Sequence, residues 1–389
     1  MNNISFKSYT SIALLFLGML TFQSCSEEDT YPIPMVNNVR PTAEDVTITE
    51  GNFGETIAIQ GAGLASTEEV WFNSVQAYFN PTMITDNNIV LSIPGDFPEE
   101  ITDKITVKTK GGSAEFDFKV IVPAPVIKSV SNEYPAVGEV MEIAGSVFYN
   151  VQSVVFPGGA EGDILEYTPE LIRVVVPDGV TEGALTVNAS AGSTESSMKL
   201  FDKTGMICDY DAMNKFEDWG KETEVIDGSS NPTSPVPVDG NYIKIQSSTE
   251  VPADNWWVDQ TVTPHGGIVM PDYPDNDPAD MYALKFEYFS VGNFNGGHVQ
   301  VQFGWGPDYW FEPYTKLGDG NNEDFVSSNW QTAVIPLNQF KSGDGSAISK
   351  YGDLKGMDFL LFLLRTPDAP EPLVGFDLNF DNIRVVKIK

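Results

Sequence analysis

Two stretches of the chain concentrate side chains able to recognise a ligand by contact. They are Asp254-Asn255-Trp256-Trp257-Val258-Asp259-Gln260 and Trp305-Gly306-Pro307-Asp308-Tyr309-Trp310-Phe311-Glu312-Pro313-Tyr314. A sugar ring offers an apolar C–H face and a rim of hydroxyls. A flat indole or phenol buries that face at low entropic cost, and neighbouring carboxylates and amides hydrogen-bond the rim. Trp256, Trp257, Trp305, Tyr309 and Trp310 are therefore the candidate binding residues. Adjacent side chains on a strand point to opposite faces. Trp257 shares parity with Asp259 and Thr261 and belongs on an exposed face, whereas Trp256 shares parity with Val258 and Val262. Trp305 falls in phase with Val299, Val301 and Phe303, which favours the core. Tyr309 and Trp310 follow Gly306-Pro307-Asp308, a loop or strand edge, where one of the two should be exposed. Trp219 and Trp330 are assigned to structure.

Catalytic chemistry has no comparable signal. His265 sits in the loop Thr263-Pro264-His265-Gly266-Gly267 and His298 opens a strand, neither with a Gly-x-Ser-x-Gly elbow nearby. No His-Glu-x-x-His, cysteine cluster or glycine-rich strand-to-helix loop occurs. An endo-glycanase needs only two well-placed carboxylates, and among 55 acidic residues such pairs carry no information. No catalytic residue and no cofactor is expected. Asp381-Asn382, with Asp209 or Asp211, could hold a structural calcium through oxygen ligands or simply cap turns; no metal site is assigned.

The chain has 389 residues, 22 basic against 55 acidic, for a net charge of −33. Two or three domains fit this length. A hydrophobic content of 41% with 12% aromatics can fill packed cores, which excludes global disorder. So acidic a chain lacks the basic footprint that nucleic acid demands, and it has no electrostatic attraction to anionic lipid. The 34 Gly and 26 Pro, among many Thr, Val and Tyr, indicate short strands joined by turns.

Residues 1–24 read as a lipoprotein signal peptide rather than fold. Lys7 precedes an apolar run over 12–22, too short for the roughly 20 residues of a membrane span, and Gln23-Ser24-Cys25 follows. A small residue directly before a cysteine resembles a bacterial lipobox. That reading makes Cys25 the lipidated first residue of the mature protein; the plainer one is a secretory signal with a chance cysteine. Ser26-Glu27-Glu28-Asp29 resembles the acidic export signal of lipoproteins displayed on the outer face of the outer membrane. Residues 25–35 then form an acidic, proline-containing tether. Cys208 has no partner once Cys25 is acylated, and is expected to be buried in a strand.

An internal repeat of about 80 residues follows. Gly54-Glu-Thr-Ile-Ala-Ile-Gln-Gly61, Glu69-Val-Trp-Phe-Asn73 and Asn88-Ile-Val-Leu-Ser-Ile-Pro94 recur as Gly138-Glu-Val-Met-Glu-Ile-Ala-Gly145, Gln152-Ser-Val-Val-Phe156 and Glu170-Leu-Ile-Arg-Val-Val-Val-Pro177. Their alternation predicts antiparallel strands in two small sandwiches, over 36–122 and 123–202. The order of these blocks resembles the IPT/TIG immunoglobulin-like domain. Trp71 and Tyr78 read as core residues of the first copy, and both copies read as spacers. Beyond them, 203–389 holds six of the seven Trp and at least seven alternating segments, including 242–246, 282–289, 298–303, 330–336, 358–364 and 376–386. One larger jelly-roll sandwich accounts for these. The whole is an all-β chain of two immunoglobulin-like sandwiches followed by a jelly roll.

Asp209-Tyr-Asp211, Asn255-Trp-Trp-Val258, Tyr309-Trp-Phe-Glu-Pro313, Asn329-Trp-Gln-Thr-Ala-Val-Ile-Pro-Leu337 and Phe380-Asp-Asn-Ile-Arg-Val-Val-Lys387, in this order, resemble the C-terminal domain of the surface glycan-binding protein B family. That resemblance implies a lipid-anchored, cell-surface protein of the outer membrane. It would capture xyloglucan or a related plant polysaccharide on an aromatic platform and pass it to an outer-membrane importer, with no catalysis. Trp256, Trp257, Tyr309 and Trp310 fall where the family has that platform. The residues themselves leave open a surface adhesin that uses the same aromatics as a protein interface.

Overall fold

The computed structural model describes residues 30–212, 216–218, 223–228, 235–246, 250–253, 264–291, 298–304, 309–311, 327, 329–357, 359–365, 371–375 and 377–389. Among them the regular structure is strand, broken only by 3₁₀ turns of three or four residues. The chain divides into two compact units, one ending at Val122 and the other running from Pro123 to Lys389.

The first unit stacks a three-stranded sheet (Met35–Pro41, Thr56–Ala62, Asn88–Ser92) on a four-stranded one (Val75–Gln76, Thr67–Phe72, Lys104–Thr109, Gly112–Asp117). Ile57, Ile59, Val70, Phe72, Ile89, Leu91, Ile105 and Val107 alternate inward from both sheets and form one core. A short parallel pair, Glu50–Asn52 with Lys119–Ile121, departs from the antiparallel pattern. The glycine that ends the repeated Ile-x-Gly motif has a steric cause. A Cβ at Gly61 would lie 1.8 Å from the Met35 carbonyl oxygen, and one at Gly145 would lie 2.0 Å from that of Val126. In both copies the first strand bulges where it crosses this glycine.

In the second unit, seven strands from Val126–Val130 to Gly192–Glu195 form a folded ribbon around Ile143, Phe156, Ile172, Val174, Leu185 and Val187. The Glu161–Tyr167 strand pairs on both sides and carries a register shift, which lets the ribbon turn over its own core. The chain then builds the larger sandwich. One sheet runs Thr223–Ile226, Tyr242–Gln246, Asp377–Lys387, Tyr282–Val291, Gln331–Pro336, with Met206–Cys208 also on Asp377–Lys387. The other runs Phe216–Asp218, Pro264–Gly267, Phe359–Arg365, His298–Phe303, Tyr309–Phe311. Phe286, Phe362 and Phe380 meet edge-on or tilted between the sheets, with ring centroids 5.1–5.6 Å apart. Cys208 is fully buried in its strand.

Asp377–Lys387 is buried on both faces over nine consecutive residues. Asn382 adopts φ 48°, and the pairing with Tyr282–Val291 slips between Lys285 and Glu287. This bulge reverses the alternation, so Leu378 and Phe380 before it, and Ile383 and Val385 after it, all reach the core. Arg384 consequently faces outward, onto the Ser131–Tyr134 segment of the preceding sandwich. Its guanidinium holds Glu287 through two hydrogen bonds of 2.7 and 2.9 Å, donates to Glu133 at 2.8 Å and to the Asn382 carbonyl at 2.7 Å, and lies 4.9 Å from the centre of the Tyr134 ring. Lys285 bonds the other Glu133 oxygen. Thr332 donates to Glu287 and accepts from the Glu133 backbone N–H. Burial pushes the Glu287 carboxyl up while Arg384 pulls it down. The second sandwich and the jelly roll are thereby joined by a dry, paired charge cluster.

Buried phenols set an alkaline limit on this unit. Burial pushes Tyr242 and Tyr282 up to about 12 and also raises Tyr134 and Tyr351. Unfolded tyrosine ionises at about 10, so the stability these groups contribute is whole below that pH and is lost as pH rises through about 12. Urea denaturation midpoints should hold between about pH 8 and 9 and drop by about pH 12. A midpoint unchanged at the higher pH would contradict the assignment.

Candidate functional site

The five-stranded sheet of the larger sandwich is the element that carries the described candidates. Along His298–Phe303, Val299, Val301 and Phe303 enter the core, which turns Gln300 and Gln302 to the opposite face. Leu361 on the neighbouring strand pairs with Gln302 and shares that outer face, since Leu360 and Phe362 beside it are core residues. Outward residues of an edge-rich sheet are ordinarily wet, yet Gln300, Gln302 and Leu361 are 3%, 7% and 0% exposed.

The two amides form a chain along the strand. Gln300 Nε2 donates to Gln302 Oε1 at 2.9 Å, and Gln302 Nε2 donates to the Gly304 carbonyl at 3.2 Å. Gln300 Oε1 has no hydrogen-bond partner among the described residues. Both amides are buried, so this chain belongs to the packing of the sheet rather than to its accessible surface. The sequence contained the sign for both glutamines, namely polar residues at every second position of a strand whose other face is Val-Val-Phe. They are absent from the aromatic candidate set because stacking, not hydrogen bonding, defined it.

Tyr309 and Trp310 belong to the edge strand Tyr309–Phe311, where Tyr309 pairs with Phe303 and Trp310 with Gln302. Backbone pairing thus brings these two candidates onto the sheet that carries the glutamines. Trp256, Trp257 and Trp305 lie outside the described residues, as does Cys25. Trp330 has a structural place: it is buried, donates from Nε1 to the Val236 carbonyl at 2.7 Å, and packs edge-on against Tyr242.

The acids considered for calcium make local hydrogen bonds. Asp209 Oδ1 accepts the N–H groups of Asp211 and Ala212, and Asp211 Oδ1 accepts that of Asn241. Asp381 is fully buried, and burial pushes its carboxyl well above the usual range. Among the described residues no three Asp, Glu, His or Cys side chains converge as a metal site requires.

In the first sandwich the expected core placement of Tyr78 is corrected. The ring is 89% exposed. It follows the two-residue strand Val75–Gln76 and precedes a 3₁₀ turn, so strand alternation does not govern it. Trp71 is half-buried, donates to Glu69 at 2.8 Å and lies under the Lys108 ammonium.

Comparison with known proteins matches residues 200–387 to the surface glycan-binding protein B xyloglucan binding domain, and residues 41–120 to the IPT/TIG domain. An IPT/TIG domain-containing protein of Bacteroides ovatus is 33% identical over 152 residues, which make 37% of this chain and 31% of that protein. The chain therefore spans under a third of that relative's length. The crystal structure of a surface glycan-binding protein from Prevotella bryantii superposes with a TM-score of 0.74 at 21% identity, covering 92% of this chain and 99% of the other. SGBP-B from a complex xyloglucan utilization locus in Bacteroides uniformis superposes with a TM-score of 0.55 at 21% identity, over 92% of this chain and all of the other. At these identities the two superpositions establish a shared fold.

Proposed function

Because the chain belongs to the surface glycan-binding protein B family, a family of non-catalytic binding proteins, we propose that it captures a neutral plant-type β-glycan, xyloglucan foremost, on aromatic side chains of the C-terminal sandwich. The glycan passes from there to an outer-membrane importer. Cys25 carries the lipid that holds the protein at the cell surface, and the sandwiches over 36–122 and 123–202 raise the jelly roll over 203–389 above the membrane.

The observation that carries this reading is the five-stranded sheet itself. Its edge strand contains Tyr309 and Trp310, and the adjacent strand is held by a buried amide chain from Gln300 to Gln302. Trp256, Trp257 and Trp305 are further stacking residues in this reading. A net charge of −33 keeps the protein soluble without repelling an uncharged polysaccharide. Stacked rings add about 0.5–1.5 kcal/mol each beyond area burial, so dissociation constants should lie between roughly micromolar and millimolar.

Affinity electrophoresis of residues 26–389 through gels carrying xyloglucan, mixed-linkage β-glucan, glucomannan and arabinoxylan tests the proposal. Retardation strongest in xyloglucan is the expected result. Free migration in all four gels would refute a plant β-glycan as ligand and favour a protein partner instead.

A further inference from the structure

Tyr78 is the most exposed of the large apolar side chains described, at 89%. Yet the backbone that carries it is pinned on both sides. The Ala77 N–H bonds the Val70 carbonyl at 2.8 Å, and the Phe79 ring packs against the core of the first sandwich. Directly after it, Asn80 caps the Pro81–Met83 3₁₀ turn: its Oδ1 accepts the Thr82 N–H at 3.0 Å and the Thr82 hydroxyl at 2.9 Å. A mobile loop tip would lose conformational entropy on ordering a ring. This ring has little but its own two side-chain torsions to lose.

Beside Tyr78 lies an open groove of about 470 Å³, with Gln76, Asn80, Ser92, Asp96 and Met83 among its walls. Two amides and a hydroxyl are the groups that bond sugar hydroxyls in either direction. Asp96 is the one charged residue of the lining. An acidic ligand is disfavoured by that carboxylate and by the charge of −33 on the chain. A stable protein interface would require roughly 800 Å² per partner around an apolar centre. Here the exposed apolar surface is one ring and the half-exposed Met83.

From this geometry we propose that the first sandwich is not only a spacer: the Tyr78 groove is a second, weaker contact site for the same class of neutral polysaccharide. The inference rests on the glycan-binding function proposed above. It gives the first unit a stacking ring and a hydroxyl-bonding rim of its own, in addition to the C-terminal site. Long glycans would therefore be held by both sites, and short ones by the C-terminal site alone.

The test uses residues 26–389 as wild type, Tyr78→Ala and Tyr78→Phe. Retardation by gel-held xyloglucan is compared with the affinity for a short xylogluco-oligosaccharide in solution. Tyr78→Ala should weaken apparent binding to the polysaccharide about three- to tenfold, while oligosaccharide affinity and melting temperature stay unchanged. Tyr78→Phe keeps the ring face and should behave as wild type. If wild type and Tyr78→Ala are retarded equally, the second site is refuted and the C-terminal reading stands. If wild type itself migrates freely and takes up no oligosaccharide, both are refuted.

Discussion

Arg384→Ala should lower the melting temperature of the protein by roughly 6–20 °C. The guanidinium is fully buried, and so is the Glu287 carboxylate that it holds at 2.7 and 2.9 Å. Glu133 is 5% exposed and keeps Lys285 after the substitution, whereas Glu287 keeps only the Thr332 hydroxyl and an emptied site. Breaking a buried pair by removing one partner costs about 3–5 kcal/mol, because the remaining charge has neither water nor counter-ion. For a unit of this size each kcal/mol corresponds to about 2–4 °C. The exposed pair between Lys203 and Asp239, at 2.9 Å, provides the internal contrast. Lys203→Ala should cost less than about 1 kcal/mol, since solvent screens that interaction. Calorimetric scans of both variants decide the matter. An Arg384→Ala transition within a degree or two of wild type would show that the cluster does not hold the second sandwich and the jelly roll together.

Trp257→Ala combined with Trp310→Ala should weaken glycan retardation at least ten- to hundredfold while leaving the melting temperature near that of wild type. Each ring contributes its buried area and about 0.5–1.5 kcal/mol of stacking, so the pair accounts for at least a ten- to hundredfold change in affinity. Starting from a dissociation constant in the micromolar to millimolar range, such a loss moves binding to about 10 μM at the tight end and beyond detection at the weak end. Gln302→Ala is the companion variant. It pairs with Trp310 across the edge of the sheet and carries the amide chain from Gln300, so its loss should weaken binding without abolishing it. Undiminished retardation of the double variant would refute Trp257 and Trp310 as stacking residues.

Period-two alternation was enough to locate most strands. The segments 242–246 and 298–303 coincide with strands Tyr242–Gln246 and His298–Phe303, because a strand between one wet and one dry face must alternate. The family resemblance also lay in local sequence, in ordered motifs such as Asn329-Trp-Gln-Thr-Ala-Val-Ile-Pro-Leu337. Alternation failed where the environment departs from one-sided burial. Nothing in 376–386 announces the bulge at Asn382, since a bulge is a relation between two strands. The outward turn of Arg384, and with it the contact to Glu133 at a separation of 251 residues, followed only from that pairing. Likewise Tyr78 read as one more core aromatic until the capped turn beneath it showed an exposed ring over a groove. The sequence by itself determined the all-β class, the strands and the family, all of which depend on residues close together along the chain. The joining of second sandwich to jelly roll, the buried amide chain and the groove were decided by tertiary structure, because each is made by residues that meet only once separate strands have packed.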